Sequence, residues 1–397
     1  MKNCKTCLLP ETHETISFNK KGNCSVCLNF DTKNNINWSK KKSDLNKIVK
    51  KYKKLQQNEE YDCIVPFSGG KDSTWTRYYL VKNLNLKPLV VRFDHGFFRP
   101  NLEDNVKKVS RNLGVDIQTY TPNWKVVQKL MLQSLIEKGD FCWHCHTGIF
   151  SYPMRIAVEK KIPLIIWGEP SSEYTAYYGY DTDEFVDEMR FNRFINLGIN
   201  AEDMYLRLKG EVNKRDLKPF TYPSEKSLKD IQCLSICLGS YIKWDVQKQS
   251  QIIQKEIGWK GDEVENVPPF YKYEKIECYM QGVRDYLKYI KRGYSRPSHL
   301  AAIDLRNKRL NKKEAEVMIK EFEGKRPPSL DIFLDFIGIS EKKFLEIAIS
   351  HEVSPNKHNL KLTQKGNKTK DFNLWSTDGA MDKKTANRIL KNSRRYS

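Results

Sequence analysis

The sequence predicts an α/β protein: a parallel sheet with helices on both faces, preceded by a zinc-ribbon-like module and followed by a mostly helical C-terminal part. Three observations predict it. Between residues 61 and 167 short apolar runs alternate with amphipathic segments, two close cysteine pairs stand in the first 30 residues, and beyond 260 the periodicity is helical. Strands that alternate with helices require right-handed crossovers, which leave the sheet covered on both faces.

Cys4-x₂-Cys7 and Cys24-x₂-Cys27 are separated by 16 residues, with Pro10 and Gly22 at tight turns. Two such knuckles supply four thiolates to a tetrahedral Zn²⁺, and a closed four-thiolate site has no open position for chemistry. The role expected for this zinc is structural. A lysine-rich stretch at 40–54 has helical spacing and reads as a connector. The expected units are 1–38 for the cysteine module, 39–60 for the connector, 61–260 for the sheet domain, 261–353 for helices and 354–397 for a polar tail.

Within the sheet domain the apolar runs place strands at 62–67, 88–93, 115–120 and 163–167, with a further strand inside 232–242. Helices are expected at 72–84, 101–113, 124–138, 147–160 and 244–257. Asn101 ahead of Glu103 and Asp104 reads as a helix start, and Gly114 as its close. Later helices are read at 273–291, 312–322 and 330–336, separated by Pro- and Gly-bearing turns. No internal repeat of fixed period is present.

A chain of 397 residues exceeds the usual single-domain size, so two or more compact units are expected. Lys and Arg number 69 against 49 Asp and Glu, a net charge of +20 that suits nucleotides, sugar nucleotides or nucleic acid. A Lys- and Asn-rich composition explains the same number equally well. No run of 18 apolar residues exists and the first residues lack a signal-peptide core, so a cytoplasmic chain without membrane association is expected. Ten cysteines, four of them in two close pairs, fit metal ligands in a reducing compartment. Cys63 and Cys278 are expected inside a strand and a helix as small apolar residues.

The chemistry is carried by Ser68-Gly69-Gly70-Lys71-Asp72-Ser73, directly after the first strand. Glycines at a strand-to-helix turn let the backbone approach an anion, and the helix N-terminus presents free N–H groups. Ser68 and Ser73 donate hydroxyl hydrogen bonds, Lys71 adds a charge and Asp72 offers a hard oxygen to Mg²⁺. The spacing is not that of a Walker A loop, which argues against γ-phosphoryl transfer. Glu169 and Glu173, after the 163–167 strand, are either second Mg²⁺ ligands or ordinary turn residues.

This hexapeptide resembles the PP-loop of the N-type ATP pyrophosphatase superfamily, over roughly residues 60–260 in order of elements. The resemblance implies that ATP is cleaved to AMP and pyrophosphate, with AMP placed on a carbonyl oxygen that a nitrogen or sulfur nucleophile displaces. It also implies that Asp94 and His95, ending the second strand, seat the adenosine. In PP-loop tRNA thiolases a pair similar to Cys142 and Cys145 delivers sulfur or holds a cluster, with Cys233 or Cys237 as a third thiol here; otherwise the pair only shapes a loop.

The paired cysteines, the PP-loop, Phe141-Cys142-Trp143-His144-Cys145-His146 and Trp167-Gly168-Glu169-Pro170 together are similar to the N-acetyl sugar amidotransferase family. So is the run from Lys288 through Asn307. Members serve surface-polysaccharide and flagellin-glycan synthesis, turning the acetamido group of a nucleotide-linked N-acetyl sugar into an acetamidino group. The resemblance implies ATP, Mg²⁺ and Zn²⁺ as cofactors and Lys71, Asp72 and Glu169 as catalytic residues.

Position 2 is Lys2, Cys4 belongs to the ribbon and no Gly-x-Cys-x-Gly elbow is present, so a separate glutaminase subunit or free ammonium is the expected ammonia source. The helical C-terminal part is expected to bind the sugar nucleotide and to form homo-oligomers, with Lys291, Arg292 and Arg306 on the diphosphate or on a solvated face. Two rivals stand beside this reading. One is a PP-loop tRNA-modifying enzyme, a thiolase or lysidine-type ligase, against which no clustered Arg run or RNA-binding module is found; nucleic acid is therefore not the expected partner. The other is a non-catalytic zinc-ribbon adaptor.

Overall fold

A computed structural model describes residues 1–358; the tail expected at 354–397 lies, from 359 onward, outside the described residues. The chain opens with the cysteine module, whose second knuckle leads into α1 (Ser25–Thr32), and continues into α2 (Trp38–Leu55). Helix α2 carries Leu45, Val49 and Tyr52 on one face and buries them against the sheet domain.

The sheet has five parallel strands: β1 (Cys63–Pro66), β2 (Pro88–Phe93), β3 (Ile117–Tyr120), β4 (Leu164–Trp167) and β5 (Leu234–Cys237), in the order β3-β2-β1-β4-β5. Val65 stands opposite Val90, Val90 opposite Ile117, Ile64 opposite Ile165, and Ile165 opposite Ser235. Alternation along each strand divides the core. Cys63, Val65, Val90 and Ile166 pack with α3 (Lys71–Lys82), α4 (Pro100–Leu113) and the helix Val246–Ile257. Ile64, Leu89, Val91 and Ile165 pack on Met154, Ile156 and Ala157. Burial on both faces is why the inner strands β1 and β4 read as unbroken apolar runs, whereas the edge strand β3, Ile-Gln-Thr-Tyr, stays part-exposed.

Two further helices complete this unit, α5 (Trp124–Lys138) and α6 (Trp143–Lys160), the latter supplying Met154, Ile156 and Ala157. The C-terminal part is helical, with Gln281–Arg292, Arg296–Arg306, Lys312–Phe322, Ser329–Ile337 and Glu341–Ser350. Val283, Leu287 and Ile290 join Phe333, Phe336 and Phe344 in a second core that also takes Val127, Met131 and Leu135 of α5. The cysteine module packs on Tyr294 and Ala302 of this helical part. No helix among the described residues is long and apolar enough to cross a membrane.

Several local expectations are corrected. Helix α4 begins at Pro100 with Arg99 at the cap, so Asn101 lies inside it; proline's fixed φ suits the first helical position, where no N–H is needed. Gly114 does close it, at φ 62°. Strand β1 is shorter than its expected run at both ends, β3 and β4 start later than expected, and β2 has the expected bounds. Helix α6 starts at Trp143 rather than 147, so the Cys142–Cys145 pair forms its cap and first turn. The helix expected at 273–291 is helical only over Gln281–Arg292, and residues 273–280 form a non-helical strap. Arg296–Arg306 and Glu341–Ser350 are helices beyond those expected. In the former, Pro297 reads as a breaker but sits in the first turn, where a helix accepts it.

Candidate active site

The strand order reverses between β1 and β4, and in open α/β sheets the crevice beyond the strand ends at such a switch is where ligands bind. The Ser68–Ser73 loop follows β1 and Gly168-Glu169 follows β4, so both stand at this crevice.

Both loop glycines stand where a side chain would meet a neighbour. Gly69 has φ +92°, and a Cβ there would lie 2.8 Å from Leu102 Cδ1. At Gly70 a Cβ would lie 1.8 Å from Glu277 Oε1. The N–H groups of Ser68 and Gly69 converge on Ser73 Oγ at 3.3 and 3.2 Å, and Gly70 N–H donates to Ser68 Oγ at 3.3 Å. These are long contacts, and a phosphate oxygen makes a stronger acceptor for such N–H groups than a hydroxyl. The indole of Trp259 donates to Gly69 O at 3.1 Å and fixes the loop from behind.

A dense set of charges surrounds the loop. Lys71 Nζ lies 2.9 Å from Asp72 Oδ2 and 2.9 Å from Glu274 Oε2, and its side chain is only 4% exposed. Burial opposes its charge, but Asp72, Glu274, Glu169 and Glu277 outweigh burial and hold the ammonium well above the usual lysine range. Glu169 accepts from the Tyr174 hydroxyl. Its carboxyl is pushed well above the usual range by burial and then by Asp72, with Lys71 and Lys275 opposing. Asp72 Oδ1 is buried without a hydrogen-bond partner. An orphaned carboxylate oxygen beside a second carboxyl that resists ionisation fits a hard divalent cation, which would satisfy the first and relieve the repulsion. Gly168 lets the end of β4 press on α3, since a Cβ there would meet Thr76 Oγ1 at 2.6 Å.

The other residues singled out in the sequence separate into several places. Asp94 lines a cavity of about 450 Å³ with Arg92, Gly96, Phe98, Glu103, Thr119 and Trp124. His95 does not share it: the ring is buried edge-on against Phe98, Nδ1 accepts from Phe97 N–H at 3.2 Å, and burial, then His144, hold it well below the usual histidine range. Glu173 is engaged by Lys33, with Nζ 2.5 Å from Oε1 and both side chains buried. Lys291 donates to Gly139 O, Arg292 to Thr12 O and Arg306 to Glu173 O. These three cations tie segments of the chain together.

Cys142 and Cys145, part-buried at the start of α6, have Cys278 as their thiol neighbour, which raises the pKa of both. Burial is the larger cause and keeps all three as thiols. Cys278 is in the strap, bridged to Phe98, and not in a helix as expected. Cys233 packs beside β4 and β5, and Cys237 ends β5 with its Sγ 3.0 Å from Glu169 O. The place expected for either of them as a third thiol beside the pair is thus taken by Cys278.

In the N-terminal module Cys4, Cys7, Cys24 and Cys27 are buried with their Sγ atoms all within 4.8 Å of one another. Cys4–Cys27 at 3.9 Å and Cys7–Cys24 at 3.6 Å match the ~3.8 Å edge of a tetrahedron with zinc–sulfur bonds of ~2.3 Å. Backbone N–H groups of Cys24 and Cys27 donate to Cys4 Sγ and Cys24 Sγ, which favours thiolate ligands. These four residues can bind a metal such as zinc.

The strap contributes residues that the sequence pattern alone does not single out. Glu274 binds Lys71 and Glu277 abuts Gly70, while between them Lys275 holds a non-glycine φ of +51°. The available signal is the run Glu274-Lys275-Ile276-Glu277-Cys278, charged on both sides of one apolar residue, which merges into the helical pattern that follows it.

Two comparisons bear on this arrangement. Residues 269–391 match the family described as LPS biosynthesis protein WbpG-like, C-terminal domain, which fits a polysaccharide-biosynthesis protein. Over 132 residues the chain is 26% identical to an uncharacterized protein of Methanocaldococcus jannaschii, covering 33% of this chain and 46% of that relative. The chain thus spans less than half the length of the curated relative it matches.

Proposed function

We propose that this chain is an ATP-dependent, AMP-forming amidotransferase of surface-polysaccharide synthesis, which converts the acetamido group of a nucleotide-linked N-acetyl sugar into an acetamidino group. One observation carries the reading. The phosphate loop at the sheet's switch point is crossed by the strap 274–278, which lies inside the segment matching the LPS-biosynthesis family.

The loop N–H groups, Ser68, Ser73 and Lys71 hold the pyrophosphate of ATP, and the cavity beside Asp94 lies along β2 for the adenosine. Asp72 and Glu169 hold Mg²⁺, which when bound neutralises phosphate charge. The acetamido oxygen attacks the α-phosphorus, the bond to the β-phosphate oxygen breaks and pyrophosphate leaves. Ammonia then adds to the imidate carbon, loses a proton and expels AMP, leaving the amidine. An amide oxygen is a poor leaving group and AMP a good one, so activation is the whole purpose of the ATP. Ammonia comes from a separate glutaminase subunit or from free ammonium.

The test supplies ATP, Mg²⁺, ammonium and a panel of nucleotide-linked N-acetyl sugars. AMP should appear together with a sugar product in which O has become NH, and Lys71→Ala or Asp72→Ala should slow turnover about 10²–10³-fold. ADP as the nucleotide product, AMP formation only on adding tRNA, or full activity in both variants would overturn the reading.

A further inference from the structure

Arg284 and Lys288 stand one turn apart on the helix Gln281–Arg292, and Arg296 opens the next helix after the turn at Gly293. Their side chains remain 34%, 27% and 13% exposed. Each has a carboxylate nearby, but none is held closely. Arg284 lies 3.8 Å from Asp140, Lys288 3.3 Å from Glu14, and Arg296 3.4 Å from Glu274 and 3.6 Å from Asp285. A satisfied guanidinium in the same chain, Arg99, stands 2.9 Å from Asp262, the usual length of a charge-assisted bond. Arg296 Nε is buried without any partner.

The three charges also act on one another. Burial lowers the Lys288 pKa, Glu14 opposes, and Arg296 and Arg284 lower it further. This cluster of three cations faces four carboxylates, Asp140, Glu14, Glu274 and Asp285, across contacts of 3.3–3.8 Å. Its position is set by Glu274, whose two oxygens are shared between Lys71 and Arg296, so the cations begin one carboxylate away from the phosphate loop. On the far side Lys288 Nζ stands 4.5 Å from the ring centre of the buried Tyr294, which fixes the end of its side chain.

We infer that Arg284, Lys288 and Arg296 form a second anion site beside the phosphate loop, which takes the diphosphate of a nucleoside-diphosphate-linked sugar. Naming the ligand as the second substrate rests on the ATP reading above. A diphosphate there would replace the loose carboxylate contacts with short ones and set the sugar alongside the α-phosphorus. It takes over the role expected of Lys291, Arg292 and Arg306, which donate to backbone carbonyls.

The test is titration calorimetry of the full chain with UDP, GDP, CDP and dTDP, each with and without saturating α,β-methylene-ATP, and with α,β-methylene-ATP alone. At least one nucleoside diphosphate should bind while the ATP analogue is present. Arg284→Gln and Lys288→Gln should each weaken that binding about tenfold or more, the loss expected of one charge-assisted hydrogen bond. Arg284→Lys and Lys288→Arg should keep most of it, which separates a lost charge from a lost fold, and affinity for the ATP analogue should not change. Absence of binding by every nucleoside diphosphate, unchanged binding in both glutamine variants, or an equal loss for the ATP analogue would overturn the site. Wild-type chain that binds a nucleoside diphosphate but not the ATP analogue would uphold the site and overturn the ATP reading.

Discussion

Gly70 has no room for a side chain, because the carboxylate of Glu277 occupies the space a Cβ would take, at 1.8 Å from Oε1. Gly70→Ala must displace the Glu277 carboxylate from its place against the loop. Displacements near 1 Å at a reacting centre cost about 10²-fold in rate. The variant should lose ATP-dependent pyrophosphate release by about that factor while its thermal melt stays near wild type; full activity would mean that the position of the Glu277 carboxylate does not matter to turnover. A second residue is a pH probe of the fold. Burial pushes the Glu265 carboxyl up to about 7, against the Ser329 hydrogen bonds and Arg99 that favour ionisation. The native state then keeps a proton that the unfolded chain releases above its ordinary pKa of about 4.3. Stability from this group is full below that value and is lost as pH rises through about 7. Denaturant melts between pH 5 and 8 should show a downward slope that Glu265→Gln reduces, and parallel curves would refute the assignment.

Helix α4 offers the cleanest test of an element. Gly114 ends it at φ 62°, and a Cβ there would have no other atom within 4 Å, so backbone strain alone opposes substitution. Gly114→Ala should destabilise the chain by about 1–2 kcal/mol in urea melts, and no loss would mean that the helix end is free to refold. Elements of this kind are legible because their signals are local. The inner strands β1 and β4 read correctly in place since burial on both faces demands unbroken apolar runs, and the Ser68–Ser73 loop stands out because glycine and serine directly follow β1. The strap is misread for the opposite reason. Tyr273 to Cys278 has a composition that suits a helix, and its conformation is imposed by Lys71, Gly70 and the bridge to Phe98, all distant in sequence. His95 illustrates a subtler loss. Side chains adjacent in an extended segment point opposite ways, so Asp94 faces the cavity while His95 turns into the core. Lys291, Arg292 and Arg306 have the right chemistry for a phosphate, and only tertiary structure reveals the carbonyls they hold.

At the scale of the molecule, the cysteine module acts as a brace between two walls of the crevice. Thr12 Oγ1 donates to Arg292 O at 2.5 Å, Glu14 accepts from Tyr294 OH at 2.6 Å, and His13 stacks on Tyr294 at 5.6 Å. On the other side Lys33 holds Glu173, four residues after Glu169, and Arg306 donates to Glu173 O. A knuckle pair this small has too little core to fold unaided, and metal binding to such modules supplies roughly 10–16 kcal/mol at neutral pH. Metal content should therefore control both walls at once. Zinc assayed by mass spectrometry should approach one ion per chain and fall on Cys24→Ser substitution or on chelation under reducing conditions. Hydrogen exchange should then accelerate in residues 1–30, around Tyr294 and Ala302, and around Glu173, while β1 and β2 stay protected because the module touches their core only at its edge, through Leu8. Pyrophosphate release should fall together with metal content, although no cysteine of the module belongs to the phosphate loop. A metal-free chain with unchanged exchange and unchanged activity would show the module to be an independent appendage and would remove its link to the crevice.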